Sequence, residues 1–505
     1  MGILTRVSIA ALALLCLLTS GRAGEPTPAI VPAEWQALHD RWAAALAEFE
    51  IPGMAVAVVK DDKVVLLDAF GIRDPGTLAP VAIDSPFYIA SSTKSFTAMA
   101  VAMLVDEGKL QLDDPVRRSL PHAELADPAV SESMTLRDLL AHRLGIESSL
   151  ITTCEAYTGL IDDERYYRLL KRVKPTKRFR YSNLNFTLAG RAIGAASGQT
   201  WQQFIAERIF KPAGMTHSYC LASRLYADPL AAMPIVETDG KWQVARTQKT
   251  DATMHAAGGM GCSAADLGRW LRLNLNLGTI DGKRLLSEAL AREMQSSQIR
   301  TEPGQEGSQR YNVDGYGLGW FLGNYREHST VHHFGGYTGA RCHVSFMPRE
   351  KIGVAVVINS SGPGTGLLDV VASEAYDKLL NLPSEDYLAD FRKQVERARA
   401  QVSRRPSIEE QPPTSSEGLS RPIEAYVGDF CHEDYGTLHI AQVDGALSFN
   451  LGAHRPLVTR TTQDSLMANI VPGSRCKCEF EISPEGRVTS LLVRDFFGPI
   501  RFARP

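Results

Sequence analysis

The chain has 505 residues, of which 54 are basic and 57 are acidic, giving a formal net charge of −3 and a pI near 6.5. This length is sufficient for more than one domain. A nucleic-acid-binding protein would show a concentrated basic surface, which this balance does not favour. We therefore expect no nucleic-acid partner.

The N-terminal segment has the pattern of an export signal. Arg6 precedes an apolar run over residues 7–18, and small residues surround Arg22 before Gly24. The run is too short for a comfortable membrane span, so we predict a signal peptide over residues 1–23, with an uncleaved anchor as the alternative. No other segment is apolar enough to cross a bilayer. The mature protein is expected to be periplasmic or secreted, without a stable membrane span.

Residues 24–380 are predicted to form the main domain. Apolar periodicity and turn residues predict, in order, helix 34–50, strands 54–59 and 64–70, strands 340–346 and 352–358, and helix 366–380. Strands at both ends with long helical stretches between them imply an α+β fold, in which one antiparallel sheet is flanked by helices and carries a largely helical subdomain.

The C-terminal part is predicted to be a separate unit. Residues 381–423 combine a charged amphipathic helix with a Pro/Ser-rich linker. Over residues 424–505 short strands are joined by turn signals, for example around Asp444-Gly445, which predicts a small all-β domain. Such a domain could cap a site, bind a partner or stabilise the chain, and the sequence does not choose among these roles.

A Ser-x-x-Lys motif occurs twice, at Ser91 to Lys94 and at Ser474 to Lys477. The first copy lies where the strand-like 87–90 gives way to a strong helix pattern over 96–104, whereas the second follows Pro-Gly and leads into a strand pattern. Only the first copy places serine and lysine three apart at a helix start, on one face, so that Lys94 can reach the Ser91 hydroxyl. There a lysine acts as a base only if its ammonium form is disfavoured, for example by apolar surroundings.

Two further motifs follow the first in the chain. Tyr181-Ser182-Asn183 comes next, and His333-Phe334-Gly335-Gly336 comes last. Taken singly, each has an ordinary explanation: a capping serine with a solvated lysine, a buried tyrosine with a turn asparagine, or a strand histidine. Together they supply a nucleophile, a base and an oxyanion-binding strand, which indicates an acylating serine hydrolase.

With these motifs in order, the chain resembles the serine β-lactamase-related hydrolases, a family that includes class C β-lactamases, DD-peptidases and esterases. The resemblance runs from about residue 51 to residue 380. Segments that carry it, besides the three motifs, are 51–59, 112–116, 136–142, 256–260 and 316–320. The resemblance implies a β-lactamase/penicillin-binding-protein-like fold for the main domain.

The resemblance also implies roles for matching residues. Ser91 would be the acylated nucleophile, Lys94 its partner base and Tyr181 a second proton carrier. Asn183 would orient Lys94 and bind substrate. The strand 333–336 would bind substrate through His333 and Gly335, and the backbone N–H groups of Ser91 and Gly336 would form the oxyanion hole.

The third motif departs from the Lys-Thr-Gly of class C β-lactamases. His333 is expected to be positively charged only part of the time near neutral pH. Phe334 lacks the hydroxyl that would bind a substrate carboxylate, so a carboxylate there would be poorly paired. We therefore expect an ester or amide with an apolar group to be a better substrate than a β-lactam.

These patterns predict an exported serine hydrolase that acts through an acyl-enzyme on an ester, amide or peptide, so that its partner is a small-molecule or peptide substrate. The alternatives are a DD-peptidase or weak β-lactamase, and a penicillin-binding sensor that is acylated but turns over slowly. No cofactor and no metal are expected. The oligomeric state is left open.

Two further features have alternative readings. Seven cysteines follow the predicted signal peptide, and we expect buried thiols or one disulfide to Cys431. The basic run 171–180 directly precedes Tyr181 and either attracts anionic substrates or forms a solvated loop.

Overall fold

The computed structural model describes most of the chain from residue 27 onward, and the predicted signal peptide lies outside the described residues. The described ranges are 27–238, 240–301, 310–383, 385–404, 419–462, 464–470, 476–495 and 498–505.

Fourteen α-helices are present in the described ranges, numbered α1–α14 in chain order. They are Gln36–Glu48, Thr93–Asp106, Pro128–Ser133, Leu136–Leu140, Ser149–Thr153, Asp163–Leu170, Asn183–Ser197, Trp201–Ile205, Lys211–Ala213, Ala222–Leu225, Ala264–Leu275, Glu288–Met294, Leu367–Leu380 and Tyr387–Arg404. Most of the shorter helices lie between α2 and α10, and this stretch is the predicted helical subdomain.

Twenty-three strands are present in the same ranges, numbered β1–β23. They are Gly53–Lys60, Lys63–Gly71, Phe87–Tyr88, Ser218–Tyr219, Ile235–Thr238, Lys241–Val244, Gly261–Cys262, Thr279–Ile280, Lys283–Arg284, Ile299–Arg300, Tyr311–Tyr316, Phe321–Tyr325, His328–Tyr337, Ala340–Met347, Ile352–Ile358, Gly428–His432, Gly436–Val443, Ala446–Leu451, Val458–Thr462, Ser465–Ala468, Cys476–Ile482, Val488–Asp495 and Gly498–Ala503.

The main domain is built on one antiparallel sheet of eight strands in the order β10-β11-β12-β13-β14-β15-β1-β2. Strand β1 pairs with β2 and with β15, with Val56 opposite Val356, so the two ends of the domain meet side by side in the sheet, between β14 and the edge strand β2. Strands β1 and β15 are almost entirely buried, because α11 covers one face and α13 the other. The predicted α+β class is confirmed.

The two faces of this sheet belong to different cores. One core contains α2, α7 and α11 and extends through the helical subdomain. The other lies between the sheet and helices α1, α13 and α14. A side chain of the sheet therefore enters one core or the other according to its position along the strand, because successive side chains point to opposite faces.

The C-terminal strands form a second antiparallel sheet in the order β18-β17-β16-β23-β22-β21-β20-β19, rolled into a nearly closed barrel. The barrel contacts the main domain through the Ala453 N–H, which donates to the Thr158 carbonyl at 2.8 Å, and through Arg172, whose guanidinium lies 2.6 Å from Asp434. The predicted C-terminal all-β unit is confirmed as a separate sheet.

The seven cysteines after residue 26 are all free, and only Cys431 among them is exposed. The alternative of a disulfide to Cys431 is therefore wrong, and the expected buried thiols account for the other six. Cys476 and Cys478 both enter the barrel core, as residues two apart on a strand should. Over the described ranges, no helix is long and apolar enough to cross a membrane.

Candidate active site

Ser91 lies in a tight turn between the short strand β3 and helix α2. A 3-10 helix, Ala90–Ser92, runs directly into α2, so Ser91 belongs to a first turn whose N–H groups have no intrahelical partner. Ala90 has a left-handed backbone with φ of 46°. Such strain in a non-glycine residue is concentrated at functional sites, and here it presents Ser91 at the edge of the buried helix.

Lys94 occupies the first turn of α2 and its side chain is completely buried. Its Nζ lies 3.1 Å from Ser91 Oγ, 2.8 Å from Asn183 Oδ1 and 2.7 Å from the Ala257 carbonyl oxygen. Two of these neighbours only accept hydrogen bonds. A neutral Lys94 amine would donate its two N–H groups to them, which leaves its lone pair directed at the Ser91 hydroxyl.

Tyr181 and Asn183 are brought to Lys94 by the start of α7. Ser182 caps this helix by accepting from the Leu184 N–H, so that Asn183 is its first residue. Lys94 Nζ lies 4.7 Å from the centroid of the Tyr181 ring. The Tyr181 ring also stacks on Phe321, with ring centroids 5.8 Å apart, which helps to fix the plane of the phenol next to the lysine.

His333 is fully buried on β13, close to Tyr181 and Lys94. Its Nδ1 donates to the Phe334 carbonyl at 2.8 Å, so its Nε2 is left to accept from the Tyr316 hydroxyl at 3.3 Å. Burial, reinforced by the charge of Lys94, lowers the pKa of His333 to about 3. The expectation of a partly charged histidine near neutral pH is wrong, because the site withholds water from the ring.

Phe334 lies on the opposite face of β13. Its ring contacts Tyr311 and His343 at centroid distances of 5.9 and 4.8 Å and packs against the core shared with α13. The position therefore offers no hydroxyl to a substrate, and its apolar ring is not directed at Ser91 either. An apolar substrate group gains no support from Phe334.

Gly335 is where β13 comes closest to the nucleophile turn. A Cβ at this position would lie 1.9 Å from the Ile89 carbonyl oxygen and 3.2 Å from the Ser91 nitrogen, so only glycine fits. Ser92 Oγ donates to the His333 carbonyl at 3.2 Å and ties the turn to the strand. Gly336 is exposed, and the atoms nearest to a Cβ there belong to the Arg341 side chain, at 3.4 Å and beyond.

We expect Gly335→Ala to lower kcat/KM by about 100-fold or more, because the strand must move away from Ser91 and a displacement of about 1 Å costs that much. Gly336→Ala is the matched control, since the neighbouring arginine side chain can give way, and its loss should be at least tenfold smaller. Steady-state kinetics of both variants, with circular dichroism to verify folding, test this. Equal losses would show that the close approach at Gly335 is unimportant.

His142 and Tyr316 complete the site, although neither was assigned a role from the sequence. His142 Nδ1 lies 2.8 Å from the amide nitrogen of Asn185, and its ring is 4.7 Å from the Tyr181 ring and 4.9 Å from the Tyr316 ring. Burial lowers the pKa of His142 well below its ordinary value, so the ring is neutral. Both residues lie in segments that carry the family resemblance, and this was the signal from which the sequence could have indicated a role for them.

A second serine has triad-like partners elsewhere on the sheet. Ser345 Oγ lies 2.7 Å from His343 Nε2, and His343 Nδ1 lies 3.0 Å from Asp369. Ser345 is fully buried on the face opposite His333, and its hydroxyl is also 2.7 Å from that of Tyr376. A substrate cannot reach it, so this chain of hydrogen bonds serves the core, and Ser91, which is partly exposed, remains the candidate nucleophile.

Three of the six basic residues in the run before Tyr181 form ion pairs. Lys171 lies 2.9 Å from Glu124, Arg172 pairs with Asp434 of the barrel, and Arg180 pairs with Glu147. These contacts favour a structural role for the run over attraction of anionic substrates.

Comparison with known proteins agrees with this geometry. The β-lactamase family model matches residues 39–373. The Protein flp of Staphylococcus aureus strain MW2 is 27% identical over 325 residues, which is 62% of this chain and 61% of that protein. The chain thus spans less than two thirds of the length of this relative. Penicillin-binding protein 4 of Amycolatopsis lactamdurans is 28% identical over 71% of this chain and 92% of its own length.

Solved structures share the fold. The octameric penicillin-binding protein homologue from Pyrococcus abyssi superposes with a TM-score of 0.59 at 24% identity, covering 92% of this chain and 99% of that one. The D-amino acid amidase from Ochrobactrum anthropi SV3 has a TM-score of 0.57 at 20% identity over 68% of this chain and 99% of its own. Since the family model covers well over half of the sequence and takes in all three motifs, this chain belongs to the β-lactamase family.

Proposed function

We propose that this protein is a serine hydrolase that cleaves an ester, amide or peptide through an acyl-enzyme on Ser91. The observation that carries the proposal is the position of the buried Lys94 amine, 3.1 Å from Ser91 Oγ and held by Asn183 and the Ala257 carbonyl. These two acceptors fix the nitrogen so that it faces the hydroxyl from which a proton must be removed.

In the acylation step, Lys94 accepts the Ser91 proton as Oγ attacks the substrate carbonyl. The carbonyl oxygen gains a negative charge, which the backbone N–H groups of Ser91 and Gly336 would stabilise. Collapse of this intermediate breaks the bond to the leaving group, which takes a proton delivered by Lys94 or Tyr181. Water then attacks the acyl-enzyme, gives up a proton to the same pair, and releases the acid with Ser91 restored.

The side chains packed around Lys94 and Tyr181, namely His333, Tyr316 and His142, would hold these two proton carriers in position. His333, with its depressed pKa, adds no second positive charge beside Lys94. Its Nε2 accepts from Tyr316, which packs against His142, and His142 in turn packs against Tyr181. These neutral side chains hold the Tyr181 phenol near Lys94 and do not compete for the proton that Lys94 accepts.

Cleavage of cell-wall peptides or β-lactams is the second candidate function. It is favoured by the 28% identity to penicillin-binding protein 4 of Amycolatopsis lactamdurans over 92% of that protein. Against it stand the neutral His333 and the ring of Phe334, which packs into the core on the other face of the sheet; the third motif therefore offers neither a cation nor a hydroxyl to the carboxylate of such substrates. We propose further that the protein works after export, as its N-terminal sequence predicts.

A short-chain chromogenic ester and a chromogenic cephalosporin separate these functions. We expect ester turnover to exceed cephalosporin turnover by about 100-fold or more in kcat/KM, because the third motif pairs a carboxylate poorly. Intact-mass spectrometry during turnover should show a transient acyl adduct. Rapid cephalosporin cleavage would restore the β-lactamase function, and a permanent adduct with no turnover would indicate a penicillin-binding sensor.

A further inference from the structure

Lys249 is a buried lysine that has no part in the proposed reaction. It is only 3% exposed, and its amine donates to the Ala156 carbonyl and, at 3.4 Å, to the Thr253 carbonyl. Desolvation by burial lowers the pKa of this amine to about 7. An apolar side chain of similar length would fill the same space without a desolvation cost. Packing alone therefore does not account for a lysine at this position.

Three tyrosine rings lie around the Lys249 amine, and we call Tyr88, Tyr157 and Tyr337 the tyrosine cluster. The Lys249 Nζ is 4.3 Å from the centroid of the Tyr337 ring and 5.5 Å from the centroids of the other two rings. The Tyr337 ring stacks on Tyr157 at 5.3 Å and meets Tyr88 edge-on at 5.4 Å. A protonated amine over a ring face is attracted to that ring. Lys249 is therefore a shared contact of all three rings, which could shift if the amine were removed.

Two of these rings belong to the strands that carry the proposed oxyanion donors. Tyr88 is on β3, which leads into the turn of Ser91, and it packs in one cluster with Ala90, the residue with the left-handed backbone. Tyr337 directly follows Gly336 at the end of β13, and both line a cavity of about 740 Å³. An oxyanion hole requires both donors to lie close to the developing charge. The spacing of the two donor N–H groups therefore depends on how these two rings are held against each other.

A further hydrogen bond links the tyrosine cluster to the proposed base. The Tyr88 hydroxyl donates to the Gly258 carbonyl. Gly258 adjoins Ala257, whose carbonyl oxygen lies 2.7 Å from the Lys94 amine. Tyr88 is thus joined both to the segment that positions Lys94 and to the turn that carries Ser91, so a shift of its ring would disturb the base and the nucleophile together.

The C-terminal barrel also holds the segments on which the cluster is built. The Thr247 hydroxyl, two residues before Lys249, accepts from the Arg455 N–H at 3.1 Å and lies 3.3 Å from His454 Nδ1. The His454 ring meets the Tyr157 ring edge-on, with centroids 6.4 Å apart. Contacts from both domains therefore fix the position of the cluster.

We infer that Lys249 is a positioning residue, which holds Tyr88 and Tyr337 together and thereby sets the spacing of the two oxyanion donors. The inference rests on the proposed serine hydrolase function. Loss of the amine should weaken the transition state, in which the oxyanion forms, more than it weakens substrate binding. The expected signature is a lower kcat with a nearly unchanged KM.

Lys249→Met tests this, since it removes the amine and keeps a side chain of similar length. We expect kcat on a short-chain chromogenic ester to fall by about 10-fold or more, and KM to change by less than about threefold, because displaced donors stabilise the oxyanion less well. Phenylboronic acid adds to the Ser91 oxygen as a tetrahedral adduct, so that one of its hydroxyl groups occupies the oxyanion position. Its inhibition constant should rise by about 10-fold or more in the variant.

Leu388→Ala is the control for stability, since Leu388 is a buried residue of α14 in the core on the other face of the sheet. It should lower the melting temperature and leave kcat and the inhibition constant within about twofold of wild type. Tyr88→Leu removes a ring and its hydroxyl from the cluster and should reproduce the effect of Lys249→Met. It decides the question if Lys249→Met is not folded by circular dichroism.

The inference is overturned if a folded Lys249→Met or Tyr88→Leu keeps the wild-type kcat and inhibition constant. A rise in KM alone, or an equal loss in Leu388→Ala, would overturn it as well. A wild-type protein that neither hydrolyses the ester nor forms the boronic acid adduct would instead contradict the proposed function, so the two failures are distinguishable.

Discussion

Ser91→Ala is expected to lower kcat/KM on the best ester substrate by about 10⁴-fold or more, the size of loss seen when a catalytic nucleophile is removed. The alanine variant keeps the turn and the helix but has no oxygen to attack the carbonyl. Steady-state kinetics measure the loss, and intact-mass spectrometry should show that the acyl adduct of wild type is absent from the variant.

Ser345→Ala is the decisive control for this prediction. Ser345 has the histidine and aspartate partners of a triad, yet its side chain is fully buried and its hydroxyl lies 2.7 Å from that of Tyr376. The substitution should lower the melting temperature and leave the acyl adduct in place. Loss of the adduct in Ser345→Ala with its retention in Ser91→Ala would transfer the nucleophile to the other face of the sheet.

The local part of the site could be predicted from sequence because helix geometry sets it. Ser91 and Lys94 are three residues apart, and their 3.1 Å separation follows from the first turn of a helix. The hairpin between β1 and β2 was predictable for a similar reason, since two short apolar runs joined by a polar turn specify it. These elements need no information from distant parts of the chain.

The charge state of His333 could not be predicted in the same way. Its pKa of about 3 results from burial, reinforced by the charge of Lys94, and the rings that lie around it, Tyr181, Tyr316 and Phe321, come from other segments. The direction of Phe334, by contrast, could have been inferred from the sequence. Side chains alternate along a strand, so a buried His333 next to Ser91 places Phe334 on the other face.

The cavity beside Gly336, which Arg341 of the main domain and Arg455 of the barrel both line, could not be predicted from the sequence. Arg341 and Arg455 are more than a hundred residues apart and belong to different domains. The sequence predicted both domains but left the role of the barrel open, because nothing local specifies which surfaces of two domains meet. Only the packing of the barrel against the main domain places Arg455 at the same cavity as Gly336.

Lys94→Met is expected to lower kcat/KM by about 10³-fold, in the range for loss of a general base. Methionine has a similar length and tolerates burial, but it offers no lone pair to the Ser91 proton. It also leaves Asn183 Oδ1 and the Ala257 carbonyl without their donor, so the free energy of unfolding should fall by about 1–3 kcal/mol for each acceptor left unpaired. Kinetics and urea unfolding of the same samples measure both effects.

Met99→Ala separates catalysis from stability in this comparison. Met99 lies on the same helix, is 1% exposed and contributes to the core beneath the site, so its truncation should cost about 2–5 kcal/mol. It does not touch the Lys94 amine, and a folded sample should keep most of its kcat/KM. If Lys94→Met kept more than about a tenth of wild-type activity, the proton would have to leave Ser91 through Tyr181 alone, and the buried amine would serve only to hold Asn183 in place.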